Sequence, residues 1–164
     1  MANRASQIAD KIKTQRQLKK IIPKLKKEGK RIAFTNGCFD ILHYGHIKYL
    51  GEAKAKADIL VVGLNNDASI RRIKGAGRPI NRQSDRAKVL SALSCVDYVT
   101  VFGEDTPLSL IKSVKPDALI KGADWQAEKI VGADFVKSYG GKALTVSYLK
   151  GYSTTGLIER IGKN

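Results

Sequence analysis

His43 and His46 stand three residues apart within residues 35–50, TNGCFDILHYGHIKYL. Residues at that spacing share one face of a helix. Both fall where a helical pattern begins, after a turn through Asn36, Gly37 and Cys38. Backbone N–H groups without partners and the helix dipole favour an anion at such a start. Two imidazoles added there suit phosphate. Gly45, between them, has no Cβ and lets a ligand come close to the backbone. A zinc pair is one alternative, but it needs a further ligand such as Cys38, and the spacing matches no known zinc motif. Histidines with only a packing role are the other.

Two more groups suit phosphate, and a third lies at a strand end. Arg71, Arg72, Lys74 and Arg78 crowd a stretch with two glycines, residues 71–80, which reads as a basic loop. A mobile surface loop is the plain alternative; its place beyond a strand end favours phosphate binding. Ser153, Thr154 and Thr155 follow Gly151 at a helix start, so hydroxyls and N–H groups occur together. Capping alone would explain one of them. Gly122, Asp124 and the single tryptophan, Trp125, follow another strand, although a lone tryptophan more often packs.

The elements that position these groups are legible as apolar runs. Residues 31–35, 57–64, 97–102, 118–121 and 143–147 read as strands. Ile47, Leu50 and Ala53 mark a helix face after the first. Asn65, Asn66 and Asp67 form a polar loop after the second. Ser84 is the expected N-cap of the next helix, with Asp85 and Arg86 in its first turn and Arg86 aimed at the same edge. Thr106 caps a helix with Pro107 at its first position. Residues 128–139 make another helix, closed by Gly140 and Gly141, and residues 157–161 a last one. Strand and helix alternate, which predicts an α/β fold: an open, Rossmann-like, parallel five-stranded sheet with helices on both faces. The motifs follow strands one, two, four and five, so they open on one edge, where such sheets bind ligands.

Ahead of the first strand, residues 1–13 are polar and expected to be loosely held. Leu18, Ile21, Ile22 and Leu25 form a helical stripe over residues 14–28. Pro23 inside it predicts a kink or two short helices. The element is expected to cover a sheet face; a membrane-surface helix is the alternative.

The 164 residues are expected to form one domain, with a basic N-terminal segment over 1–30 and a core over 31–164. The net charge is +15, and residues 1–31 hold eleven Lys or Arg against Asp10 and Glu28. Such a surface draws anions. Aromatic residues are only 7% and no nucleic-acid motif is present, so a nucleic-acid partner is not expected. No apolar run spans a bilayer and none makes a signal-peptide core, so neither stable membrane association nor export is expected. Cys38 and Cys95 make no disulfide framework, and the expected compartment is the cytoplasm.

Gly37-Cys-Phe-Asp40 followed by His43-x-Gly-His46 resembles the signature of the nucleotidyltransferases, which include glycerol-3-phosphate cytidylyltransferase and pantetheine-phosphate adenylyltransferase. The basic loop with Lys74, the Gly122–Trp125 turn and Tyr152-Ser-Thr-Thr155 match the same pattern in order, over roughly residues 30–160. Asn36–Asp40, Asn65–Asp67 with Arg71–Gly75, and Arg78-Pro79 look most like bacterial heptose-1-phosphate adenylyltransferases; many of these also carry a sugar kinase, and the form expected from the resemblance is the stand-alone one. One departure is the absence of an arginine ahead of Ser153-Thr-Thr; Lys150 is the available cation.

The resemblance implies attack by a sugar 1-phosphate oxygen on the α-phosphorus of ATP, with release of pyrophosphate and no covalent intermediate. In it, His43, His46 and Lys74 are the catalytic residues. Thr35, Asn36, Gly37, Cys38, Phe39 and Gly45 line the nucleotide, with Gly122, Asp124, Trp125, Ser153, Thr154 and Thr155. Asp40, Asp67, Arg78 and Arg86 face substrate; the two aspartates suit its hydroxyls or a magnesium ion. Magnesium is expected to arrive with ATP rather than in a dedicated protein site. Relatives suggest a homodimer. Cytidylyl transfer to a polyol phosphate, a nucleotide-binding module without turnover, and an RNA- or membrane-associated protein are the alternatives.

Overall fold

The computed structural model describes residues 4–123, 126, 129–147, 149 and 151–163. Five strands carry the fold: β1 (Ile32–Gly37), β2 (Ile59–Asn65), β3 (Tyr98–Phe102), β4 (Ala118–Gly122) and β5 (Lys142–Val146). They form one parallel sheet in the order β3-β2-β1-β4-β5. The expected α/β architecture is the observed one. The helices are α1 (Arg4–Asp10), α2 (Gln15–Lys27), α3 (Tyr44–Lys54), α4 (Asp67–Lys74), α5 (Gln83–Ser91), α6 (Leu108–Val114), α7 (Ala133–Lys137) and α8 (Thr154–Ile161).

Successive strand side chains point to opposite faces, and the core divides accordingly. Ala33, Leu60, Val62, Leu64 and Ile120 join Leu50 and Ala53 of α3 and Ala87 and Leu90 of α5. Ile32, Phe34, Val61 and Leu119 join Leu18 and Ile22 of α2, Leu110 and Ile111 of α6, and Val136 of α7. The connections after β1 and β2 therefore use one face and those after β3 and β4 the other. The change of face opens a crevice at the C-terminal ends of β1 and β4. Among the described residues no helix is long and apolar enough to cross a membrane.

Several elements differ from the sequence expectation. Pro23 does not divide α2, a single helix of thirteen residues. A capping box between Thr14 and Gln17 closes its start, and buried Leu18 and Ile22 hold it against the sheet. Each such buried side chain contributes about 1.5–3 kcal/mol, enough to offset the hydrogen bond that proline removes. Residues 11–13 are not loose. Lys13 N–H donates to the Val99 carbonyl and Val99 N–H to that of Lys11, both at 2.9 Å, so the segment lies along the β3 edge. Lys11 Nζ also donates to the Leu93 and Val96 carbonyls, at 3.0 and 2.7 Å.

The first part of the expected basic loop is helix: Arg71, Arg72 and Lys74 lie in the last turn of α4, capped at its start by Asn66. Arg82, not Ser84, is the N-cap of α5, and Pro107 itself occupies the N-cap of α6. The helix expected over 128–139 is α7 alone, preceded by Gly132 in the left-handed region (φ 88°). Ile47, placed on one helix face with Leu50 and Ala53, is exposed, whereas those two are buried.

Candidate active site

The crevice holds a cavity of about 320 Å³ lined by the tip of β1, the start of α3, the end of α4, the end of β4 and the start of α8. Of the expected residues, Asn36, Gly37, Cys38, Phe39, Asp40, His43, His46, Lys74, Arg78, Gly122, Ser153, Thr154 and Thr155 lie on its wall. Asp124 and Trp125, like Lys150, fall outside the described residues.

The turn after β1 is sharply built. Phe39 has φ 43°, a left-handed conformation that a bulky residue adopts only when its surroundings enforce it. Its ring lies over Gly37, where an added Cβ would come within 2.9 Å of Phe39 Cε2. The same ring meets His46 edge-on, with centroids 5.2 Å apart. His43 then caps α3 with extended backbone and no side-chain cap bond, which leaves its ring to the cavity. The two imidazoles stack at 3.8 Å between centroids. Among the described residues, Nδ1 of each is buried and has no hydrogen-bond partner.

Burial lowers the His43 pKa. Burial, followed by the facing charge of His43, takes His46 down to about 4, although the Ile41 backbone opposes the fall. Both rings are therefore neutral near pH 7, each able to donate one N–H to a phosphate oxygen. Gly45 is needed for a reason other than ligand approach: a Cβ there would sit 2.9 Å from Tyr152 Cβ and 3.0 Å from His43 Nδ1. It lets the His43 ring lie flat against the start of its own helix.

Two buried charges build the floor. Asp40 is 3% exposed. Its carboxylate accepts from Arg78 Nε at 2.7 Å and from the Ile80 and Asn81 N–H groups at 2.9 Å. Burial pushes its pKa up, but those two N–H groups and Arg78 outweigh that and hold it below the usual carboxylate range. The expected contact of Asp40 with substrate hydroxyls or a metal is thus replaced by contacts that clamp residues 78–81. Arg86 is 2% exposed and lies beneath the cavity rather than on its wall. It donates to the carbonyls of Asn81, Cys38 and Asn65 and to Asp67 Oδ1, at 2.7–3.0 Å. Arg86 and Asp67 therefore tie the tips of β1 and β2 together instead of facing substrate. Thr35 also lies below the wall, fully buried, its Oγ1 2.6 Å from Tyr49 Oη. Arg71 and Arg72 stay outside; Arg72 pairs with Asp105 at 2.8 Å.

Two wall residues escape a reading by motif. Tyr49 lies one helical turn after His46, and Lys121 is the lone charge near the end of apolar β4. On the α8 side, Gly156 N–H donates to Ser153 Oγ at 3.0 Å and Thr154 Oγ1 to the Ile41 carbonyl at 3.3 Å. Burial raises the Cys38 thiol pKa against the pull of Lys74, Arg86 and Arg78, so it is a thiol and not an activated nucleophile at neutral pH. No group of three or more His, Cys, Asp or Glu among the described residues could hold a metal. Among the described wall residues, Asp40 has both carboxylate oxygens engaged by Arg78, Ile80 and Asn81.

Residues 34–160 match the family model described as cytidylyltransferase-like. The chain belongs to the cytidylyltransferase-like family. It is a nucleotidyltransferase domain. The chain is 50% identical over 161 residues to the bifunctional protein HldE of Syntrophotalea carbinolica, and 53% identical over 151 residues to that of Geobacter metallireducens. These matches cover 98% and 92% of the chain but 33% and 31% of the relatives, so it spans about a third of their length. Among solved structures it resembles a lipopolysaccharide core biosynthesis protein of Thermoplasma volcanium, with a TM-score of 0.62 and 31% identity over 76% of this chain and all of that one. Pantoate-beta-alanine ligase of Francisella tularensis shares the fold at 18% identity and a TM-score of 0.61, over 93% of this chain and 76% of that one.

Proposed function

We propose that this cytidylyltransferase-like domain moves AMP from ATP to a heptose 1-phosphate, giving ADP-heptose and pyrophosphate for the lipopolysaccharide inner core. The observation that carries this reading is the stacked His43–His46 pair sharing one cavity wall with Lys74, Arg78 and Ser153–Thr155. Likeness to HldE over nearly the whole chain, and to a lipopolysaccharide core biosynthesis protein, supports the choice of sugar.

A phosphate oxygen of the sugar phosphate attacks the α-phosphorus of ATP. One P–O bond forms as the bond to the β-phosphate bridging oxygen breaks, and pyrophosphate carries away the electron pair. No protein nucleophile is needed, in keeping with the protonated Cys38 thiol. Catalysis then rests on positioning and charge stabilisation. The imidazoles donate N–H bonds as charge moves to the leaving oxygen, and Lys74 and Arg78 neutralise it. Magnesium enters as part of the ATP substrate, held by phosphates and water. The reaction belongs to the cytoplasm, with a homodimer as the working unit.

The test offers each nucleoside triphosphate with several sugar phosphates and reads pyrophosphate. Release with ATP and heptose 1-phosphate, well above every other pairing, is expected. Preference for CTP with a polyol phosphate would overturn the reading, and so would no release with any pair.

A further inference from the structure

Lys121 takes no part in the histidine, basic-loop or Ser-Thr-Thr motifs, yet it reaches the same cavity. β1 and β4 pair in parallel with Phe34 opposite Leu119, so two residues on Lys121 lies beside Asn36. The contact is direct: Lys121 Nζ donates to the Asn36 carbonyl at 3.2 Å. Asn36 is the penultimate residue of β1, and its own side-chain Oδ1 is buried without a hydrogen-bond partner among the described residues. The ammonium is therefore braced against the last turn of backbone before the Gly37–Asp40 bend. It is half-buried in the crevice where the sheet's connections change face.

The wall cations are thus arranged in sequence along the sheet edge. With strand order β3-β2-β1-β4-β5, Lys74 and Arg78 arrive from the β2 side, the imidazoles rise from the β1–α3 turn, and Lys121 stands on the β4 side. Lys74 is at the exposed end of α4; Lys121 is deeper, at a strand end. A triphosphate laid across this edge with its reacting phosphorus near the imidazoles must place its two ends on opposite sides of β1. The nucleoside belongs in the crevice, which lies between β1 and β4 and not between β1 and β2.

We propose that Lys121 is a nucleotide-binding residue that holds the α-phosphate at the nucleoside end, while Lys74 holds the departing pyrophosphate. This rests on the nucleotidyl-transfer reading above. Each ammonium would recognise a phosphate oxygen through a charge-assisted hydrogen bond. Bracing by the Asn36 carbonyl fixes Lys121 before ligand arrives, so less side-chain freedom is lost on binding.

Calorimetric titration of the full chain with AMP and, separately, with inorganic pyrophosphate tests this division. Lys121→Met should weaken AMP about tenfold or more and leave pyrophosphate unchanged. Lys74→Met should do the reverse, and Lys121→Arg should recover most of the AMP affinity. Unchanged AMP affinity in Lys121→Met would overturn the proposal, as would equal loss of both ligands with an unaltered melting temperature. If Lys121→Met melts early, Lys121→Arg decides: a folded variant that still fails to bind AMP also overturns it. A parallel titration with CMP separates the two readings. Wild type that takes CMP in place of AMP refutes the choice of ATP, and the Lys121 comparison is then read on CMP.

Discussion

His46 is a histidine kept from charging. Burial and the stacked His43 hold its pKa at about 4, against 6.5 for a free imidazole. Only the unfolded chain binds the proton between those values, so folding is favoured fully above pH 6.5. That contribution is lost as pH falls from 6.5 to about 4, and below that the difference stays constant. Urea unfolding followed across this range should show falling stability, with a shallower slope in His46→Ala. An equal slope in both proteins would refute the low value. Asp40 titrates below this window, because its pKa is lowered from 3.8. Functionally, His46→Ala should cut turnover by about a hundredfold or more while circular dichroism stays unchanged. Near-normal turnover would remove His46 from the chemistry.

At the scale of elements, the site depends on how helix starts and strand tips are locked together. Gly45 is a tight point, where the start of α3 meets the segment ahead of α8. Gly45→Ala gains helix propensity of about 1 kcal/mol, but the new methyl presses on Tyr152 Cβ and the His43 ring. Overcrowding of that kind costs about 1–3 kcal/mol. Melting temperature should therefore move little, whereas turnover should drop as the ring is displaced, by up to about a hundredfold. Full activity in Gly45→Ala would show that the ring has room to spare. Arg86→Met removes the donor shared by Asn81, Cys38 and Asn65 and leaves Asp67 unpaired. It should cost about 3 kcal/mol in urea unfolding, and a loss below about 1 kcal/mol would show that the tie is dispensable.

These same contacts mark what a sequence discloses and what it hides. Strand tips were legible because apolar runs end in Gly, Asn and Asp, and so the cavity wall was largely legible too. The roles of Asp40, Asp67 and Arg86 were not, because charge and position do not reveal burial or mutual pairing. α4 read as a loop because it is short and buries only Ser69 and Ile70, with cations filling its last turn. Lys121 and Tyr49 were hidden inside otherwise ordinary strand and helix patterns.

For the whole molecule, the informative segment is the one expected to be loosely held. β3 is the last strand on its side of the sheet, and a bare strand edge exposes N–H and C=O groups that pair with other chains. Residues 11–13 cover part of that edge through the two Val99 bonds and the Ile12–Val99 bridge. Lys11 adds its bonds to the turn before β3, and Ile12 packs against the core cluster. The basic N-terminal segment is therefore part of the sheet's boundary as well as a source of charge. Deleting residues 1–13 should lower the melting temperature by several degrees, since a loss of about 1 kcal/mol shifts a domain of this size by roughly 2–8 °C. It should also increase light scattering on warming, because the uncovered β3 edge becomes available for pairing. Lys11→Met, which keeps the backbone bonds, should lose part of the stability without the scattering. A deletion that melts and scatters like the full chain would mean that α5 and the β2–β3 pairing protect that edge unaided.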